Sequence, residues 1–397
     1  MKQNQTNQSN LNPIRRVIGL DAHPDTFAAA ILEGTDAESA RCVRSTTKQP
    51  LETLEVWMKR FTRPGDTVVF EASGNSFSVA ERLRAIGREP IILESYRASK
   101  IGAAYLANDR VDAIKIGRIY LSGLASVPVW QPDAKTRERR ELLSSYNRCV
   151  KESTRAQQHI RSYLNEHSLR LPKGFRICRP EAIERLLKLR EWSVMQRLLL
   201  VEMHGHLVAV RAQRQRLRRM MALEIENDPT LLRLYKISGL NLVTTFGLIS
   251  LIGDISRFKG SKKLVSYIGL NPSTEQSGEY EGSGALKRHG SGIIRSMLIQ
   301  AAKRLLKTEN PLQKWGLSVA LRRGCNRAAV AVARKLVMSV WHVMQGHWTV
   351  VEEVSGTLAT KIFKLATELG VQTLKELGYS SKKAFQERKI YLLRTYA

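Results

Sequence analysis

The chain has 397 residues, 43% of them apolar, which is enough for two or three packed domains and too apolar for wholesale disorder. Its 64 Lys and Arg against 36 Asp and Glu leave a formal net charge of +28. That excess favours a polyanionic partner, because each phosphate that a cation neutralises releases a condensed counterion; a basic, ribosome-associated protein is the plainer alternative. No apolar run approaches the roughly 20 residues of a membrane-spanning helix, and the polar start, Met1 to Pro13, lacks the apolar centre of a signal peptide.

Residues 1–13 read as a disordered arm. From Arg16 the pattern is strand-like: Val17-Ile18-Gly19-Leu20, then Phe27 to Leu32 after the turn at Pro24-Asp25. A helix is predicted over Leu51 to Phe61, a strand over Asp66 to Phe70, a helix over Ser76 to Ile86 and a strand over Pro90 to Leu93. Strands alternating with helices imply an α/β sheet with a parallel portion, spanning residues 14–131 and closed by Val127 to Trp130.

Over 132–226 the texture turns to long, arginine-rich, coiled-coil-like helices, broken near Leu171-Pro172-Lys173-Gly174. Leu187, Val194, Val201 and Val208 recur every seven residues and suggest a helix-pairing seam, either an intramolecular hairpin or a dimer coil. Residues 227–345 read as a mostly α-helical C-terminal domain. Within it Ser238-Gly239-Leu240-Asn241 interrupts an apolar stretch. A glycine turn between short helices can aim backbone N–H groups at a phosphate, so Gly239 and Asn241 are candidate nucleic-acid contacts, with Asn241 expected in a left-handed conformation. A Gly/Ser-rich stretch, Ser273 to Gly292, precedes helices over Ile293 to Leu306 and Ala328 to Met344. Residues 346–397 are a basic helical extension. The four cysteines, Cys42, Cys149, Cys178 and Cys325, form no C-x-x-C pair, so neither a zinc site nor a disulfide framework is expected.

Four carboxylates stand where chemistry would want them. Asp21 and Glu71 end two predicted strands, where ligands of open α/β sheets gather. Asp109 and Asp112 are three apart, so a helix would present both on one face. Converging carboxylates repel unless a cation sits among them, and an all-oxygen set without His or Cys suits Mg²⁺, with Mn²⁺ as substitute. Each acid alone has a plainer explanation: a turn at Asp21, a helix N-terminus after Glu71, a solvated face balanced by Arg110 and Lys115.

Together, Gly19-Leu20-Asp21-Ala22-His23, Phe70-Glu71-Ala72-Ser73-Gly74 and Asn108-Asp109-Arg110-Val111-Asp112-Ala113 resemble the D-E-D-D motifs of the IS110/IS1111 family of transposases. A second set matches the family's C-terminal domain in order: Arg257-Phe258, Tyr267-Ile268-Gly269-Leu270-Asn271-Pro272, Ser277-Gly278, Lys287-Arg288-His289-Gly290 and Ile294-Arg295. The resemblance implies an RNase H/RuvC-like N-terminal domain with Asp21, Glu71, Asp109 and Asp112 as metal ligands, and Ser277 as nucleophile. Gly278, Lys287, Arg288 and Arg295 become candidate nucleic-acid contacts. It also implies DNA as substrate, an element-encoded guide RNA, and a homodimer or tetramer, acting in the bacterial cytoplasm at the nucleoid. Asn241, Arg288, Ser291 and Ile294 depart mildly from the family pattern. A RuvC-type junction nuclease using water, or a non-catalytic nucleic-acid-binding protein, are the rival readings.

Overall fold

The computed structural model describes residues 15–94, 109–123, 128–277, 280–286, 290–347 and 355–395; the expected arm at 1–13 lies outside them. The chain divides into two units, Met1–Gln131 and Pro132–Ala397. Among the described residues no helix is long and apolar enough to cross a membrane.

The first unit is built on a five-stranded sheet of order β3-β2-β1-β4-β5. Its strands are β1 Arg15–Ala22, β2 Thr26–Gly34, β3 Arg41–Pro50, β4 Thr67–Glu71 and β5 Pro90–Leu93. β1 pairs antiparallel with β2 and parallel with β4, which continues parallel to β5. The period-2 pleat sorts each strand's apolar residues onto two faces. Ile18, Leu20, Val68, Phe70 and Ile92 face α1 (Leu54–Phe61) and α2 (Ser76–Ala85). Val17, Leu32, Val69 and Leu93 face α3 (Asp109–Leu121), through its Ile116 and Ile119. Both faces are covered, which is why β1 and β4 read as continuous apolar runs. β3 has no counterpart in the sequence reading: it is an edge strand, exposed along most of its length, so no alternation betrays it. Val129 N–H donates to the Ile92 carbonyl at 2.7 Å, so the segment after α3 does return to the sheet edge.

In the second unit, α4 (Ala134–Glu166) and α6 (Val194–Asn227) pair as a long hairpin, joined through α5 (Ala182–Leu187). Asp133 caps α4 by accepting from Thr136 N–H, and Ser193 with Gln196 forms a capping box on α6. The seam is displaced from the expected one. Val194 is 79% and Val201 41% exposed, whereas Leu200 and Leu207, also seven apart, are fully buried against Ala156, Ile160 and Leu164. His204 lies between those leucines, and its Nε2 is 3.0 Å from the Ile177 carbonyl and 3.1 Å from that of Arg179. Those contacts turn this face of α6 toward the connecting segment and leave the valines outside. The hairpin is intramolecular.

Next come α7 (Pro229–Lys236), the wholly apolar α8 (Leu242–Ile252) and α9 (Ser261–Ile268), then β6 (Pro272–Ser277) and β7 (Tyr280–Leu286). Where the sequence suggested an irregular Gly/Ser-rich stretch, β6 and β7 pair as an antiparallel hairpin. Three helices follow: α10 (Gly292–Leu305), α11 (Gln313–Arg323), which was not anticipated, and α12 (Cys325–Met344). The end of the chain forms α13 (Ser355–Leu369), α14 (Val371–Glu376) and α15 (Lys382–Thr395). These helices share a core with the hairpin: Leu358, Ile362, Leu365 and Phe385 pack with Met221, Ile225, Leu231 and Phe246. Arg218 pairs with Glu368, and Lys389 Nζ meets Glu226 Oε1 at 2.6 Å with both side chains only 9% exposed.

Removing one partner of a buried ion pair strands the other charge, at a cost of about 3–5 kcal/mol. Lys389→Ala is therefore expected to lower the unfolding free energy of the second unit, read from urea titration, by an amount in that range. A loss below about 1 kcal/mol would mean that Glu226 finds water and the tail helices are loosely held.

Candidate carboxylate centre and serine hairpin

The first unit gathers its acids by register. Leu20 pairs with Phe70 across the parallel β1–β4 ladder, so Asp21 and Glu71, one residue further on, stand side by side on the face that α3 covers. That face is lined with small residues. Ala28, Ala30 and Ala113 pack together, a Cβ on Gly19 would lie 1.9 Å from the Ala113 carbonyl oxygen, and one on Gly117 would lie 2.4 Å from Leu32 Cδ1. The helix thus rides almost on the strand backbone, and Asp112, next to Ala113, is carried to the Asp21–Glu71 end of the sheet.

Burial, followed by the negative charges of Asp21 and then Asp112, holds the Glu71 carboxyl above the usual carboxylate range. The charges of Asp21 and Asp112 therefore both reach Glu71. Two basic side chains stand nearby: His23 Nε2 is 3.3 Å from Asp21 Oδ2 and Lys115 Nζ is 3.3 Å from Asp112 Oδ1. Asn75 ties α2 to this end by donating to the His23 carbonyl, and the Ser76 hydroxyl donates to the Glu71 carbonyl. Among the described residues no three His, Cys, Asp or Glu groups stand close enough to share one ion. Asp109 opens α3 one turn before Asp112; its side chain lies outside the described residues. In donor type the set still fits a hard divalent cation: all-carboxylate, with a raised Glu71 that such a charge would relieve.

In the second unit Ser277 ends β6 and pairs with Tyr280, placing it at the tip of the hairpin; its side chain lies outside the described residues, as do Gly278, Lys287 and Arg288. The base of the hairpin is tightly held. Gly290 (φ +79°) abuts the end of α9, where a Cβ would lie 2.4 Å from the Tyr267 carbonyl oxygen. Ser291 caps α10, whose first turn carries Arg295. The motif residues Arg257, Phe258 and Tyr267 form one stack: the Arg257 guanidinium lies 4.2 Å from one ring centroid and 4.4 Å from the other. Arg257 also donates to the Ile252 and Leu251 carbonyls, and Arg140 to those of Ser250 and Leu251. These two arginines satisfy the last carbonyls of α8. Arg140 had no signal in the sequence beyond the general arginine density of its helix.

The turn between α7 and α8 differs from expectation in one respect. Gly239 (φ +85°) takes the left-handed conformation, while Asn241 is extended (φ −106°, ψ 174°) and caps α8 by accepting from Thr244 N–H. A side chain that caps a helix needs its own residue extended, so the left-handed step falls to the glycine.

The family model for "Transposase IS116/IS110/IS902 family" matches residues 232–315, from α7 into α11, including that turn, the arginine stack and the hairpin. The chain is 27% identical over 346 residues to the transposase for insertion sequence element IS1111A of Coxiella burnetii, covering 83% of this chain and 89% of the relative. It is 22% identical over 290 residues to a probable family 20 transposase of Pseudomonas aeruginosa, covering 71% and 84%. Residues 232–315 match an IS116/IS110/IS902-type transposase domain, and the chain is similar to insertion-sequence transposases over most of its length. An alignment over 83% of the chain extends beyond the second unit into the first, so the family likeness is not confined to the helical part.

Two outcomes follow from the geometry of the acids. Because the Glu71 carboxyl is raised, its ionisation opposes folding: below the ordinary carboxylate pKa the opposition is absent, and it grows as pH rises through the folded value. Glu71→Gln should therefore melt higher than the parent at pH 7 in EDTA, with the gap closing toward pH 4; equal melting at pH 7 would sink the repulsive cluster. Gly19→Ala should cost about 3 kcal/mol in urea unfolding, because the obstructing atom belongs to backbone and cannot swing aside.

Proposed function

We propose that the protein cuts and rejoins DNA as an insertion-sequence transposase, with a divalent cation held by Asp21, Glu71, Asp109 and Asp112 and with Ser277 as nucleophile. The observation that carries the reading is the raised carboxyl of Glu71, buried beside Asp21 at the ends of adjacent parallel strands and within the field of Asp112 on α3. A half-buried carboxylate whose nearest charges include two further acids is a common arrangement at sites that receive a cation. The strand order, with β2 antiparallel beside β1 and the acids beyond β1 and β4, supports an RNase H/RuvC-like assignment of the first unit.

The chemistry a bound Mg²⁺ supplies at such a site is polarisation of a phosphodiester. The chain's own residues do the rest. Asp21, Glu71 and Asp112 would hold that charge, and His23, 3.3 Å from Asp21, would orient it. At the hairpin tip the Ser277 hydroxyl gives up its proton as its oxygen bonds to the scissile phosphorus, and the departing sugar oxygen takes a proton in turn. The phosphoserine ester keeps the energy of the broken phosphodiester, so a second strand's hydroxyl can displace it without ATP. A net charge of +28 is suited to holding DNA together with a structured guide RNA, and exchange of several strands calls for a dimer or tetramer.

The test is trapping of a protein–DNA adduct on labelled element ends with guide RNA and Mg²⁺. Adduct formation is expected to fall by at least about a thousand-fold in Ser277→Ala, and likewise in Asp21→Asn and Glu71→Gln. Undiminished adduct from Ser277→Ala would overturn the nucleophile, and cleavage without any adduct would assign the attack to water.

A further inference from the structure

The helical unit contains a cavity of about 560 Å³ between the α7–α8 turn, the end of α10 and α13. Its floor is apolar, with Leu240, Met297 and Leu305, and its charged lining is Arg304, Lys361 and Lys364 against a single acid, Glu309. Arg304, Lys364 and Glu309 are exposed and form the rim. Lys361 differs. Its amine is enclosed, lies 4.9 Å from the centroid of the Tyr235 ring and donates to the Ile237 carbonyl at 2.7 Å. No carboxylate among the described residues pairs with it. Burial without a counter-charge depresses the amine to about 7.

A second group at the same spot is unsatisfied. The Ser238 side chain lines the cavity, the residue is only 7% exposed, and its hydroxyl has no hydrogen-bond partner. Ile237, whose carbonyl receives the Lys361 amine, is the residue before Ser238, and Ser238 and Lys361 both line the cavity. Each costs free energy left as it is, and a buried donor without an acceptor is ordinarily removed unless something supplies the acceptor. The positive end of α8 opens at the same turn and adds to the preference for an anion.

We propose that this cavity is a phosphate-binding subsite in which Ser238 and Lys361, backed by Arg304 and Lys364 at the rim, hold a phosphate of a nucleotide or nucleic-acid strand. Hydroxyl, amine and guanidinium donors arriving from different directions suit a tetrahedral oxyanion better than a planar carboxylate. The volume beyond the donors leaves space for the attached sugar over the apolar floor. The proposal rests on the nucleic-acid reading above and gives the helices after residue 354 a part in it, since Lys361 and Lys364 both lie on α13.

The experiment uses the full chain in EDTA, so that binding is read apart from strand cleavage. Affinity for fluorescein-labelled single-stranded and duplex oligonucleotides is measured by anisotropy across a salt series. Lys361→Met is expected to weaken binding about tenfold and to lower the salt-dependence slope by about one. Ser238→Ala is expected to weaken it about five- to tenfold. Neither should lower the melting temperature, because each deletes a group with an unmet buried cost. Lys303→Met, an exposed lysine outside the cavity, serves as control. Stabilisation of the parent, but not of Lys361→Met, by inorganic phosphate or thymidine monophosphate would identify a free phosphate as occupant; loss of oligonucleotide binding without that stabilisation would identify a strand phosphodiester. Parental affinity in both cavity variants, or a loss in Lys361→Met no larger than in Lys303→Met, would overturn the subsite. Adduct formation by the parent would leave the transposase reading standing in that event, so the two can fail separately.

Discussion

The close crossing of α3 over β1 is the contact on which the candidate centre depends. At Gly19 the helix backbone of Ala113 comes nearer than any side chain would permit, and at Gly117 the helix in turn admits Leu32. Small residues on both partners, Ala28 and Ala30 below and Ala113 above, extend the approach. The consequence is electrostatic: a helix seated one side chain further out would leave Asp112 too distant to perturb Glu71. The packing keeps the charge of Asp112 within reach of the buried Glu71 carboxyl.

The second unit solves a different problem. A hairpin of two β-strands has little core of its own, so its direction must come from what it leaves and enters. Gly290 against α9 and Ser291 at the start of α10 fix its base, and Arg257 packs against the Phe258 and Tyr267 rings just before it in the chain. Arg140 and Arg257 bind the same end of α8, so the long α4 helix and the motif-bearing segment are referenced to one set of carbonyls. The chain's last helices complete this unit by burying Ile362, Leu365 and Phe385 in the core around α8.

Much of this was legible in the residues. The alternation of strands and helices in 14–131, the acids at strand ends and the helical texture after Asp133 all come from local periodicity, which survives into the folded state because each element buries a single face or both. What escaped reading shares a cause. β3 is an exposed edge, the β6–β7 hairpin is rich in Gly and Ser, and α11 buries few side chains; none carries the apolar rhythm that periodicity detects. The heptad on α6 was seen in its spacing but placed on the wrong face, because two seven-residue series run along that helix and only the contacts of His204 select between them.

By itself the sequence determined which residue types were on offer: four acids in a recurrent order, a serine beside a glycine, and an excess of positive charge. It also carried the likeness to insertion-sequence transposases, since motif order is a one-dimensional property. Only the tertiary structure decided that the charges of Asp21 and Asp112 reach Glu71, that Gly239 rather than Asn241 turns left-handed, and that Lys361 comes to donate to the Ile237 carbonyl from more than a hundred positions away. The physical reason is that charge coupling and burial depend on distance in space, and spacing along a chain constrains that distance only within one helix or strand.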